Sequence, residues 1–143
     1  MGKREKPLAD QQMIKALVKT AVDAAAQQRF FEASVIIFQT VEGLLRIAIK
    51  VFGKAHGIRA DVLEKCADTE TSFWRLVLHY DMIRPNNGLG ERLLALNARR
   101  NKMMHRLFYD FASMEHLDEE MKAFCKEAMA LNIALQEDLG LSG

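Results

Sequence analysis

The chain has 143 residues, half of them hydrophobic, with 20 Lys and Arg against 19 Asp and Glu. That is enough for one globular domain that buries roughly two-thirds of the surface its unfolded chain would expose, without disulfide or metal staples. A formal charge of +1 excludes global attraction to nucleic acid, so any such partner must be met by a local basic patch.

The opening residues Met1 to Pro7 are charged and have no apolar run behind them, which argues against a signal peptide. They read as a disordered basic arm ahead of a single domain over residues 8–139. Behind Pro7, the residues Ile14, Leu17, Val18, Ala21, Val22 and Ala25 keep the i, i+3, i+4 rule and predict a first helix of about 20 residues with one apolar stripe. The second helix, Phe30 to Phe52, carries two stripes side by side. One runs Phe30, Ile37, Val41, Leu44, Ala48, Val51; the other runs Phe31, Val35, Phe38, Leu45, Ile49, Phe52. A helix apolar over most of its circumference is central in a bundle, or faces a core on one side and another subunit on the other. Gly53 is the expected stop. The same region is the longest apolar one, and Glu32, Gln39, Glu42, Arg46 and Lys50 interrupt it, so no membrane span and no membrane partner are expected.

A third helical region starts near Asp61, breaks at Asp68-Thr69 and restarts behind Thr71 as a candidate cap, with Phe73 and Trp74 expected in the core. The turn cluster Arg84-Pro85-Asn86-Asn87-Gly88 ends it. A fourth helix is predicted from Gly90 to Phe111 and a fifth from about Ser113 to Leu139, before Gly140. In the fifth, Met114, Leu117, Met121, Phe124, Ala128, Leu131 and Leu135 alternate steps of three and four, the spacing of a bundle seam. With no β-type alternation, the fold class is all-α, an up-and-down bundle of four to five helices. Cys66 and Cys125 belong to no CxxC or Cys/His cluster and read as reduced core cysteines of a cytoplasmic protein. His56, His79 and His116 have no HxxxH or carboxylate spacing, so neither metal nor cofactor is expected.

The fourth helix departs from this pattern. Leu93, Leu96, Met103 and Leu107 form its core stripe, and Arg100 takes the slot between Leu96 and Met103. Beside it runs a polar line at steps of four: Asn97, Asn101, His105, Tyr109. At about 100° per residue this line drifts only about 40° per step, so its groups can point into one space. Arg100 and His105 stand about 140° apart around the axis and about 7.5 Å along it, too far to touch but within reach of one phosphate lying over Asn101. Asparagine is a poor mid-helix residue, and two of them beside Arg and His suit either a functional cleft or a structural hydrogen-bond network. Glu42 lies in the apolar part of the second helix, where a carboxylate needs a partner; Arg100 is one candidate and Arg46, at i+4, is another.

The run Arg100-Asn101-Lys102-Met103-Met104-His105 resembles the signature of the HEPN superfamily (higher eukaryotes and prokaryotes nucleotide-binding domain), Arg followed by four to six residues and then His. The stretch from Phe31-Glu32-Ala33 through Gln39-Thr40-Val41-Glu42 and Leu45 looks like the family's early helix, and Leu93 through Asn97 is also similar. The likeness covers about Leu8 to Leu139. It implies a helical bundle that dimerises through the helices around the motif, so that two copies of it flank one cleft. In catalytic members that cleft is a metal-independent endoribonuclease site, in toxins, defence systems or RNA processing. On that likeness His105 is the acid–base group, Arg100 stabilises the phosphorane and Asn101 orients its neighbours, supported by Glu42, Asn97 and Tyr109. Arg99, Lys102 and Arg106, with Arg92 nearby, supply the local basic cluster for an RNA backbone. The partners implied are a second copy of the chain, an RNA substrate and, for a toxin, an antitoxin protein. Toxin members paired with a nucleotidyltransferase antitoxin often carry Tyr two residues after the His; here that place is Leu107 and the tyrosine falls at Tyr109. The alternative reading is a HEPN-like dimer without catalysis that binds a nucleotide or a partner protein.

Overall fold

A computed structural model describes the backbone of residues 5–109 and 114–141 and the side chains of residues 11–105 and 117–141. It is a helical bundle: α1 (Glu5–Ala26), α2 (Phe30–Ala55), α3 (Ala60–Cys66), α4 (Phe73–Ile83), α5 (Leu89–Tyr109) and α6 (Met114–Asp138). The six described helices exceed the expected four to five because the Asp68 break separates two helices. Pro7 falls in the first turn of α1, where its missing N–H has no intrahelical partner to lose, so the helix takes in residues 5–7.

The central position expected of α2 is its place in the bundle, since it packs against α1, α3, α4 and α6. Ile37, Val41, Leu44, Leu45, Ala48 and Ile49 are sealed from water, and Leu131 and Leu135 of α6 join them. At about 1.5–3 kcal/mol per fully buried large side chain, this column is the main source of stability. The α6 seam is buried at every described position from Leu117 to Leu135; Met114 lies outside the described side chains. Inside the α2–α6 contact the Asn132 amide donates to the Thr40 hydroxyl at 2.8 Å, and Gln136 donates to the Asn132 carbonyl oxygen. Thr40 in turn donates to the Ile37 carbonyl at 2.6 Å, so no member of the trio leaves its buried polar atoms unsatisfied.

Four expectations are corrected by packing. Gly53 does not stop α2, which continues to Ala55 with Gly57, at φ +81°, supplying the left-handed residue. Gly53 is instead where α3 docks: a Cβ there would run into Cδ2 of Leu63, the buried residue of α3. Trp74 is 48% exposed, because α4 turns Phe73, Leu76, Val77 and Tyr80 inward and Trp74 lies off that face. On α1, Val22 is exposed and Ala24 buried, a face of small residues that lets the helix approach closely. Thr71 is not the cap of α4 either; Ser72 holds that position, and the Thr71 hydroxyl donates to Asp68 at 2.9 Å. That bond, with two further backbone N–H donors, holds the Asp68 carboxyl below its ordinary range.

The expected turn at residues 84–88 anchors a polar cluster. Asn86 and Gly88 take positive φ. Asn87 accepts from the Leu89 N–H at 3.0 Å and donates to the Tyr80 hydroxyl at 2.7 Å, while that hydroxyl donates to Asp138 of α6 at 2.6 Å. Arg84 adds an ion pair to Asp138 and lies over the Phe52 ring at 4.3 Å. Burial raises the Tyr80 phenol above the usual tyrosine range, and the Asp138 carboxylate pushes it further. Burial also penalises the Asp138 carboxylate, but hydrogen bonds from Arg84 and Tyr80 outweigh it and hold the group below its ordinary range. Among the described residues no helix is long and apolar enough to cross a membrane.

Candidate functional site

Helix α5 presents Leu93, Leu96 and Met103 to the core, as the periodicity predicts. Arg100, in line with them, is half-buried and turns toward α2. Its guanidinium carbon sits 4.5 Å from the centroid of the Phe38 ring. Phe38 is held in place from below: its ring lies 4.5 Å from Phe73 of α4 and 6.1 Å from Phe124 of α6, centroid to centroid. The three rings form a platform, and the cation rests on its outer face, an attraction worth about 0.5–1 kcal/mol at an accessible site.

Arg100 makes no ion pair or hydrogen bond among the described residues. The carboxylate of Glu42 is engaged elsewhere, at 3.3 Å from Arg46, whose guanidinium also reaches the Asp68 carbonyl at 3.1 Å. Of the two partners considered for Glu42, the i+4 neighbour is the one it has. The reason is local geometry: one turn of helix brings Arg46 alongside with no cost in chain entropy.

The other members of the motif face different ways. Asn101 and His105 are exposed on the outer surface of α5, and Asn97 is half-buried. His105 does have an interaction partner, as does Glu120 of α6. Arg99 and Lys102 come together, lining with Met103 and Glu120 a shallow depression of about 250 Å³. Glu120, early in α6, is thus set against the basic cluster. Arg92 belongs to a different place, bound to Glu127 of α6 at 3.1 Å. The side chains of Arg106, Leu107, Tyr109 and His116 lie outside the described residues.

The surface beside Arg100 was not foreseen as a site. Phe31 and Val35, the N-terminal half of the second α2 stripe, are 47% and 42% exposed, and together with Phe38, Met103, Met104 and Met121 they wall an open groove of about 340 Å³ with Arg100 at its side. The signal lay in the two-striped α2, whose outer stripe is covered from Phe38 onward and open before it. Cys125, below this groove, is a poor nucleophile: burial raises its thiol above the ordinary range, against a smaller opposing effect of its hydrogen bond with Ser34 at 3.0 Å. Among the described residues no three His, Cys, Asp or Glu side chains could hold one ion.

Compared with protein-family models, with curated proteins and with solved structures, the chain matches none.

Proposed function

We propose that the chain is a HEPN-type, metal-independent endoribonuclease that works as a homodimer. Arg100, Asn101 and His105 of both copies flank one cleft where α5 helices meet. The observation that carries the reading is Arg100: a half-buried guanidinium over an aromatic platform, with no carboxylate paired to it among the described residues. Such a group is free to meet an anion, and a phosphorane is the anion the motif calls for. Exposed Asn101 and His105 on the same helix support the reading, as do Arg99 and Lys102 as backbone contacts.

The chemistry follows from these residue types. Internal attack by a ribose 2′-hydroxyl needs a base to take its proton and an acid to protonate the departing 5′-oxygen; an imidazole exchanges protons near neutral pH and serves either role. Arg100 stabilises the charge that builds on the phosphorus oxygens. The products are a 2′,3′-cyclic phosphate and a 5′-hydroxyl. In this reading the half-buried Arg100 of one copy works with the exposed His105 of the other.

Incubation of labelled RNA with purified protein in EDTA tests this. Wild-type protein should cleave, leaving cyclic phosphate ends, and His105→Ala and Arg100→Ala should each lower the rate by about 10²–10⁴-fold. Cleavage that survives both substitutions, or a chain that sediments as a monomer at micromolar concentration, overturns it. A second reading, a dimer that binds a nucleotide or partner protein without catalysis, is favoured by the separation of Arg100 from His105 on the single chain, and absence of wild-type cleavage would select it.

A further inference from the structure

We propose that the groove between α2, α5 and α6 binds a small amphipathic monoanion, a carboxylate carrying an aliphatic or aromatic body, with the carboxylate on Arg100. The inference shares Arg100 with the nuclease reading but does not rest on it, because it needs neither His105 nor a second chain.

Three observations carry it. The groove is an apolar trough open to solvent, walled by two exposed side chains of α2 and by three methionines. Methionine is unbranched and polarizable, and suits a wall that must adapt to a hydrocarbon body. The volume of about 340 Å³ lies at the small end for ligand pockets and holds on the order of ten non-hydrogen atoms, at the roughly 30 Å³ that a water-sized group takes in a liquid. Of the two charged side chains among the described residues that line the groove, Glu42 is already paired with Arg46, which leaves the positive charge of Arg100 to be matched.

The choice of a monocarboxylate follows from that count. A planar guanidinium meets a carboxylate through two parallel N–H···O bonds, and the Phe38 ring lies behind it, 4.5 Å from its carbon. A phosphate dianion would need further donors, and the described lining side chains include no second cation. The ligand's tail then covers Phe31 and Val35, which removes from water the apolar surface that the fold leaves exposed.

Isothermal titration of the full chain with octanoate, octanol and inorganic phosphate tests the proposal. Octanoate should bind saturably, one per chain, with Kd on the order of 100 µM. Octanol, of the same length and uncharged, should bind about tenfold more weakly, and phosphate more weakly still. Arg100→Gln should reduce octanoate binding to the octanol level and leave octanol unchanged, while Val35→Asp weakens both. Absence of saturable octanoate binding overturns the proposal, as does octanol or phosphate binding as tightly as octanoate; these comparisons use only wild-type protein and do not depend on a variant folding. His105→Ala should leave octanoate binding intact, so loss of RNA cleavage and loss of octanoate binding report on different claims.

Discussion

Two arginines of this bundle lie over phenylalanine rings of α2, Arg84 over Phe52 at 4.3 Å and Arg100 over Phe38 at 4.5 Å. They differ in what meets the guanidinium. Arg84 is closed by Asp138, within a cluster that also satisfies Tyr80 and Asn87. Arg100 has the ring and nothing else among the described residues, and it opens on a groove. The same stacking therefore serves as a structural clamp in one place and as a docking point in the other. A cation that stabilises the fold has its carboxylate built in, whereas a cation that waits for a ligand does not.

Substitutions at the two ends should separate these roles. Asp138→Ala leaves the Tyr80 hydroxyl and the Arg84 guanidinium without their acceptor and should cost about 2–4 kcal/mol in urea denaturation. A loss under about 1 kcal/mol would show that the clamp is dispensable. Next in size, Gly53→Ala forces a methyl against Leu63 and should cost about 1–3 kcal/mol, with the amides of α3 losing hydrogen-exchange protection before those of α2. The closed cluster also has a pH signature. Because Asp138 is held below its ordinary carboxylate range, its contribution is complete above about pH 4 and is lost as pH falls through the lowered value. The stability gap between wild type and Asp138→Asn should then shrink on acidification. Tyr80, with its phenol pushed up, has the opposite sign: its contribution is complete below about pH 10 and is lost as pH rises beyond that. The smallest effect on stability belongs to Arg100→Gln, at most about 1 kcal/mol, since only a ring contact is removed. A loss as large as that of Asp138→Ala would make Arg100 a second clamp and erase the contrast.

Much of the fold was legible in the chain. The central role of α2, the break at Asp68, the turn at residues 84–88 and the α6 seam all follow from periodicity and turn chemistry, which are local. What failed was phase and close approach. Trp74 sits one residue after buried Phe73, and only the position of α2 decides which of the two faces inward. Gly53 looked like a stop because a glycine near a helix end usually is one, while its use as a seat for Leu63 depends on where α3 lands. At the candidate site, the motif marked Arg100, but the Phe38 platform comes from a residue 62 positions earlier in the chain. The groove was invisible for a related reason: an exposed apolar stripe on α2 has the same sequence pattern as a covered one. Asn132 gave a fainter sign, an amide inside an apolar seam, and its partner Thr40 is equally remote in sequence.

The most direct measurement mixes two impaired chains. Arg100→Ala and His105→Ala proteins, each expected to cleave RNA in EDTA about 10²–10⁴-fold more slowly than wild type, are unfolded together, refolded and assayed. A cleft shared by two copies predicts that the mixture recovers cleavage, because a mixed pair keeps one intact arginine and one intact histidine across the interface. A mixture as slow as its parents, beside an active wild type treated in the same way, would contradict the shared site.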